Sequence, residues 1–279
     1  MALNARGVRG QAVYCDPALA ASVEAGGGQI AQTVGKADLV VAAPDIALQD
    51  QKPVLQALEA QVPLESPLGL FFRSFGAEDW AHYERVPRVV VTPSAVIAQG
   101  LTELLEAVGK TVQSAVSGAA MGLDIPDDGS FVVLTASEVE VATARALTPD
   151  VVILPDTSCA RLLREGGPDH AILDVGSFDG AFLSNMTREA AVDDRVIACH
   201  TGGKIAGPGW SVFLNKGFLT ETRRGKQVQA VDLRALATSV AHTELVFVYA
   251  AARALGLNPR QIASALPSLP DRLTRSPSG

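Results

Sequence analysis

The stretch RVVVTPSAVIAQGLTELLEAVGK, residues 88–110, joins a β-branched run, Val89 to Thr92, to a segment where Leu101, Leu104, Leu105 and Val108 recur at helical spacing. A strand, a tight turn and a helix N-terminus make a phosphate cradle, because backbone N–H groups and the helix dipole converge there. Cradles of the GxxxxGK[ST] type also need glycines, a lysine for the outer phosphate oxygens and a hydroxyl for magnesium. Here the turn offers Thr92, Pro93, Ser94, Ala98 and Gln99. Pro93 removes a donor, and Val96 and Ile97 resist positive φ. No lysine occurs between Lys52 and Lys110. The plain reading is a capped helix, with Thr92 as N-cap and Pro93 at the first helical position; an unusual ATP site is the other.

Further groups invite chemistry. CHTGGKIAGPGW, residues 199–210, carries Gly202, Gly203 and Lys204, but its spacing is not that of a phosphate loop, and Gly207-Pro208-Gly209 blocks a following helix. It reads as a glycine-rich hairpin or loop in which His200 and Lys204 line a pocket. Asp174 and Asp179 lack the regular acid spacing of a calcium loop. Cys159 has no evident base partner in sequence. The three cysteines include no CxxC pair, and no HxxxH occurs, which speaks against a structural zinc and for a reducing, cytoplasmic setting.

These groups sit in 279 residues, 48% hydrophobic but only 5% aromatic, a mix that favours α/β layers. The net charge of −7, with no basic run longer than Arg223-Arg224, excludes ordinary nucleic-acid binding. The start, MALNARGVRG, has no long apolar run, so neither a signal peptide nor a membrane span is expected.

The positioning elements follow from periodicity. GQAVYCD (10–16) and ADLVVAAPDI (37–46) read as strands, with PALAASVEAGG (17–27) and KPVLQALEAQ (52–61) as helices, a rhythm that implies a parallel sheet. FGAEDWAHYERVP (75–87) reads as a connector. SFVVLTAS (130–137) and DVVILPD (150–156) are buried strands, and HAILDVG (170–176) and RVIACH (195–200) further ones. Residues 209–231 read as antiparallel hairpins, 232–257 as one long helix, and NPRQIASALPSLP as a short helix.

In order and spacing these pieces resemble the Mur ligase family, above all its D-glutamate-adding branch. FVYAAARALGLNPRQIASALPSLPDRL is similar to the helix pair at the family's central-to-C-terminal junction; SFVVLTASEVEVATARALTPDVVILPD to its ELSSFQLE strand and the following LRPDVAVLLN; ADLVVAAPDI and VPLESPLGLFFR to its ADLVVVSPGI and ELELFFR. The family's ATP loop, TGTNGKTT, then falls on the turn after Val91.

The resemblance implies a partial Rossmann-like, UDP-binding-type domain (1–87), a central P-loop-type α/β domain with a parallel sheet (88–270) and a tail (271–279). The family's first strand and C-terminal domain have no counterpart, so an open sheet edge is expected beside the first strand. Asp16, Pro44 and Asp45 fall where the family contacts a nucleotide sugar. The family joins an acid to an amino acid with ATP and magnesium through an acyl phosphate. Here its magnesium glutamate falls at Thr135, with Glu138 and Glu140 off register; no lysine lies between Lys110 and Lys204, where its carbamylated lysine is expected; and His242 is displaced from its GxHN motif. The implied protein is a degenerate pseudo-ligase of peptidoglycan precursor synthesis. It would act by binding a UDP-sugar precursor or by scaffolding, with a homo-oligomer or a cell-wall-synthesis protein as partner and no cofactor. The alternative is an ATP- and Mg2+-dependent ligase completed by another chain, or one using Lys204 as a substitute cation.

Overall fold

The computed structural model describes residues 8–25, 27–74, 87–123, 129–163, 168–179, 195–205, 207–234 and 239–269. The expected connector, apart from Pro87, and the expected tail lie outside the described residues, as does the His242 side chain.

Two parallel sheets organise the chain. The first comprises β1 (Ala12–Tyr14), α1 (Pro17–Ala25), β2 (Gln29–Ile30), β3 (Leu39–Val41), α2 (Lys52–Glu59), β4 (Leu64–Glu65) and α3 (Pro67–Ser74). Its strand order is β2-β1-β3-β4, parallel throughout. Pro53 sits in the first turn of α2, where its missing N–H costs nothing. The expected open edge beside β1 is not there. β1 lies inside the sheet, with Val13 paired to Ile30 on one side and to Leu39 on the other. Strand pairing satisfies backbone groups that an edge would leave bare, which is why the two apolar strands close on each other.

The second sheet holds nine strands in the order β13-β12-β11-β10-β9-β8-β5-β7-β6. Its elements are β5 (Arg88–Thr92), α4 (Ala95–Ala107), β6 (Val112–Ala115), β7 (Phe131–Thr135), α5 (Glu138–Thr143), β8 (Val151–Leu154), β9 (His170–Asp174), β10 (Val196–His200), β11 (Trp210–Asn215), β12 (Phe218–Arg223), β13 (Lys226–Asp232), α6 (Ser239–Ala254) and α7 (Pro259–Ala265). Strands β5 to β11 run parallel, and β12 and β13 return antiparallel.

Apolar runs in β5, β7 and β8 are continuous because both faces are covered. Val90, Val133, Val151 and Ile153 pack with α4 and α6. Val89, Val91, Val132, Leu134, Val152 and Leu154 pack with Leu68, Phe71 and Phe72 of α3 and Val141 of α5. Each fully buried Val or Leu contributes about 1.5–3 kcal/mol by the transfer scale. The helix expected over 232–257 is described from Ser239 to Ala254, and the pairing of β13 with β12 keeps Asp232 in a strand.

One buried polar cluster fastens the antiparallel strands to α6. The Glu221 carboxylate, with no exposure, accepts from Trp210 Nε1 at 3.0 Å, Tyr249 Oη at 2.6 Å and Arg253 Nε at 2.9 Å. Burial, with the Glu221 carboxylate adding to it, raises the Tyr249 phenol above its ordinary range, so it stays a donor. Replacing Glu221→Ala leaves Arg253 and Tyr249 facing an apolar wall and should cost about 3–5 kcal/mol. Urea unfolding of the variant checks this; a loss near zero would show that the cluster does not fasten the layers.

Candidate functional site

The turn after β5 lies at the switch in strand order, because the chain leaves β5 towards β7 and β6 and returns on its other side at β8. Such switch points open a crevice at the carboxyl ends of the strands. At that crevice end several polar groups are bonded within the protein. Ser94, not Thr92, is the N-cap of α4, and its Oγ accepts from Ile97 N at 3.3 Å. Thr92 remains in the strand, paired to Thr135, and its carbonyl accepts from Ala136 N. Pro93 therefore precedes the cap and Ala95 opens the helix. Thr92 Oγ1 accepts from Ser94 N at 3.3 Å, and Thr135 Oγ1 from Ser117 N at 2.8 Å. Thr135, where the family's magnesium acid falls, thus holds a neighbouring turn.

Glu140 joins the same network. Its carboxylate accepts from Ser117 Oγ at 2.6 Å, Gly118 N at 3.1 Å and Ser137 N at 3.2 Å. Ser137 Oγ accepts from Glu140 N and donates to Pro44 O at 2.7 Å, which completes a capping box on α5 and ties it to the first sheet. Burial raises the Glu140 carboxyl above the usual range, against hydrogen bonds that lower it. The first turn of α4 carries Ala95, Val96 and Ile97, and no lysine or arginine. A magnesium–triphosphate group needs cations and free convergent donors, so these residues do not fit one. Ala98 and Gln99 instead line a groove of about 460 Å³ between α4 and the ends of β6 and β7, with Thr135 and the acids Glu103 and Glu106.

The sugar-nucleotide candidates separate. Asp16 lies at the mouth of a cleft of about 310 Å³ at the carboxyl ends of β1 and β3, with Tyr14, Ala43, Ile46, Asp50 and Lys52. Its Oδ1 accepts from Ala18 N at 2.8 Å and so starts α1. Pro44 turns its carbonyl to Ser137, and Asp45 is exposed at the tip of the same turn. Sequence reading passed over Gln51. Its buried carboxamide accepts from Ala43 N at 2.8 Å and donates to Ala43 O and Ile46 O, which fixes the turn as the cleft wall. Eight residues separate Gln51 from Ala43, so no local pattern announces that clamp.

Among the described residues, the cavity that Lys204 lines does not include His200. His200 Nδ1 lies 3.9 Å from Asp174, whose other oxygen accepts from Ser177 Oγ at 2.8 Å. Lys204 lines a separate cavity with β11 to β13. Among the described residues no group of three His, Cys, Asp or Glu is placed to hold a metal. Burial pushes the thiols of Cys15 and Cys159 up to about 11, and neighbouring carboxylates add to it. Neither is a nucleophile near neutral pH, because the thiolate is the reactive form. Among the described residues no helix is long and apolar enough to cross a membrane.

No protein-family model matches the chain. Its sequence is similar to the UDP-N-acetylmuramoylalanine–D-glutamate ligase of Roseobacter denitrificans, 39% identical over 246 residues that cover 77% of this chain and 52% of that protein. It is also similar to the ligase of the same name from Ruegeria pomeroyi, 37% identical over 252 residues, 80% of this chain and 53% of that one. The chain spans about half the length of the curated relatives it matches. The fold is shared with a solved UDP-N-acetylmuramoyl-L-alanyl-D-glutamate–2,6-diaminopimelate ligase, with a TM-score of 0.52 at 12% identity, covering 82% of this chain and 59% of that one.

The Glu140 network has a pH signature. A carboxyl whose pKa is raised on folding favours the folded state most when protonated, and that contribution is lost as pH climbs from the ordinary carboxylate range through the folded value. Relative to Glu140→Gln, the stability of the native chain should therefore fall over that window and level off above it. Parallel urea titrations from acid to neutral pH check this; a difference that rises with pH would contradict it.

Proposed function

The chain is a relative of the Mur ligases, and on that footing we propose that it serves peptidoglycan precursor synthesis by binding a UDP-sugar precursor, as a pseudo-ligase or scaffold with a degenerate phosphoryl-transfer site. Residues 1–87 act as the UDP-binding-type domain and residues 88–270 as the central-type domain, with 271–279 a tail. The setting is the cytoplasm, and neither ATP nor Mg2+ is needed for the binding role.

One contrast between the two sheets carries the reading. At the carboxyl ends of β1 and β3 the cleft presents Lys52 from the first turn of α2, so a diphosphate would meet a cation and a helix N-terminus together. Asp16 and Asp50 flank it as acceptors for sugar or base hydroxyl and N–H groups. At the end of β5 the amides of Ser94, Ile97 and Ser117 are bonded within the protein, and the first turn of α4 brings no cation. The acids disfavour a bare diphosphate and so favour a ligand that brings donors as well.

The names of the sequence relatives favour a second reading, an ATP- and Mg2+-dependent ligase that adds D-glutamate, completed by a partner chain or by Lys204 as the cation. Three strand spacings separate β5 from β10, about 14 Å, which places the Lys204 loop far from the Ser94 turn. A second copy or a cell-wall-synthesis protein is the partner under either reading.

Calorimetric titration with UDP-N-acetylmuramoyl-L-alanine should give saturable binding that Lys52→Ala weakens about tenfold, the weight of one charge-assisted contact of about 1.4 kcal/mol. ATP turnover with D-glutamate and magnesium present should stay at background. Turnover abolished by Lys204→Ala would establish the ligase reading instead, and absence of sugar-nucleotide binding would remove the first.

A further inference from the structure

Charge is strongly segregated in this acidic chain. Between residues 195 and 234 seven lysines and arginines accompany two acids, Glu221 and Asp232, within a total of −7. Both acids are engaged: Glu221 with Arg253 at 2.9 Å, and Asp232 with Arg234 at 2.6 Å. By composition this stretch is the basic part of the chain, and basic groups concentrate anions at a concave site beside them.

It contains one. Val212 and Leu219 point to the α6 core, while Phe213 and Thr220, paired across the strands, face the other way. On that outer face Lys204, Ile205 and Gly207 line, with the strands, a cavity of about 440 Å³, within the range of small-ligand sites. Lys204 forms one wall, Asn215, Thr220, Thr222 and Gln227 surround it, and Phe213 lines it. Among the described residues no acid takes part in the lining. Thr222 Oγ1 already shares a hydrogen with Ser211 Oγ at 2.7 Å, so its free lone pair or proton is fixed in direction. Gly203 and Gly207 have φ of +148° and +139°, values that let the loop fold back over the strands and that side chains rarely adopt.

We propose that this cavity is an anion site for a phosphate monoester on a small hydroxylated body. Lys204 meets the phosphate as a point charge, as lysines commonly do. The amides and hydroxyls on the remaining sides donate to its other oxygens and pair with the hydroxyls of the body. A monocarboxylate offers two oxygens to the same ring of donors and would leave several unpaired. The site lies on the other sheet from the Lys52 cleft and stands independently of it.

The test is titration of the full, isotope-labelled chain with inorganic phosphate, followed by the side-chain amide resonances of Asn215 and Gln227, with acetate and chloride at matched ionic strength. Saturating shifts are expected with phosphate alone. Lys204→Gln should weaken the midpoint at least fivefold, while the exposed Lys110→Gln leaves it unchanged. Shifts that are linear in phosphate, that acetate or chloride reproduces, or that Lys110→Gln weakens equally would overturn the assignment.

Discussion

The carboxylate of Glu140 is the point on which the arrangement of the two sheets depends. It is 1% exposed and accepts from the turn at Ser117 and Gly118 and from the start of its own helix at Ser137, whose hydroxyl in turn donates to the Pro44 carbonyl of the first sheet. A buried carboxylate is costly unless its lone pairs are filled, so the three segments are held in one geometry. Glu65 does the same a short way off, accepting from Arg145 N at 2.9 Å, with Arg73 Nη1 at 3.7 Å. Both acids hold the seam between the sheets.

Function follows from where the polar groups are committed. At the carboxyl ends of β5 and β7, Thr92, Ser94, Thr135 and Ser117 bond one another, and the α4 N-terminus is closed by its own serine. At the ends of β1 and β3 the Gln51 clamp does the opposite. It fixes the backbone of the turn and leaves the cleft beside Lys52 open.

Much of this was legible in the sequence because buried parallel strands leave continuous apolar runs. Val89–Thr92, Phe131–Thr135 and Val151–Leu154 announced themselves that way. β2, β4 and β6 did not, being two to four residues long and partly polar. The N-cap of α4 was placed at Thr92 because Thr-Pro is a good helix start; pairing with β7 keeps Thr92 in the strand and moves the cap to Ser94. At the sites, Asp16 was readable as a strand-end acid and Lys204 as a glycine-flanked cation. Gln51 and the polar face of β11 to β13 were not, since both arise from residues that only the fold brings together.

The claim that the β5–α4 turn is closed to nucleotides is tested most directly by amide hydrogen exchange of residues 94–98, 117 and 118, with and without magnesium-ATP. The amides of Ser94, Ile97, Ala98, Ser117 and Gly118 already have partners within the chain, so the account predicts the same exchange rates for them in both conditions at millimolar nucleotide. Slowed exchange confined to these positions, saturating with magnesium-ATP, would contradict it and make the turn a working phosphate site.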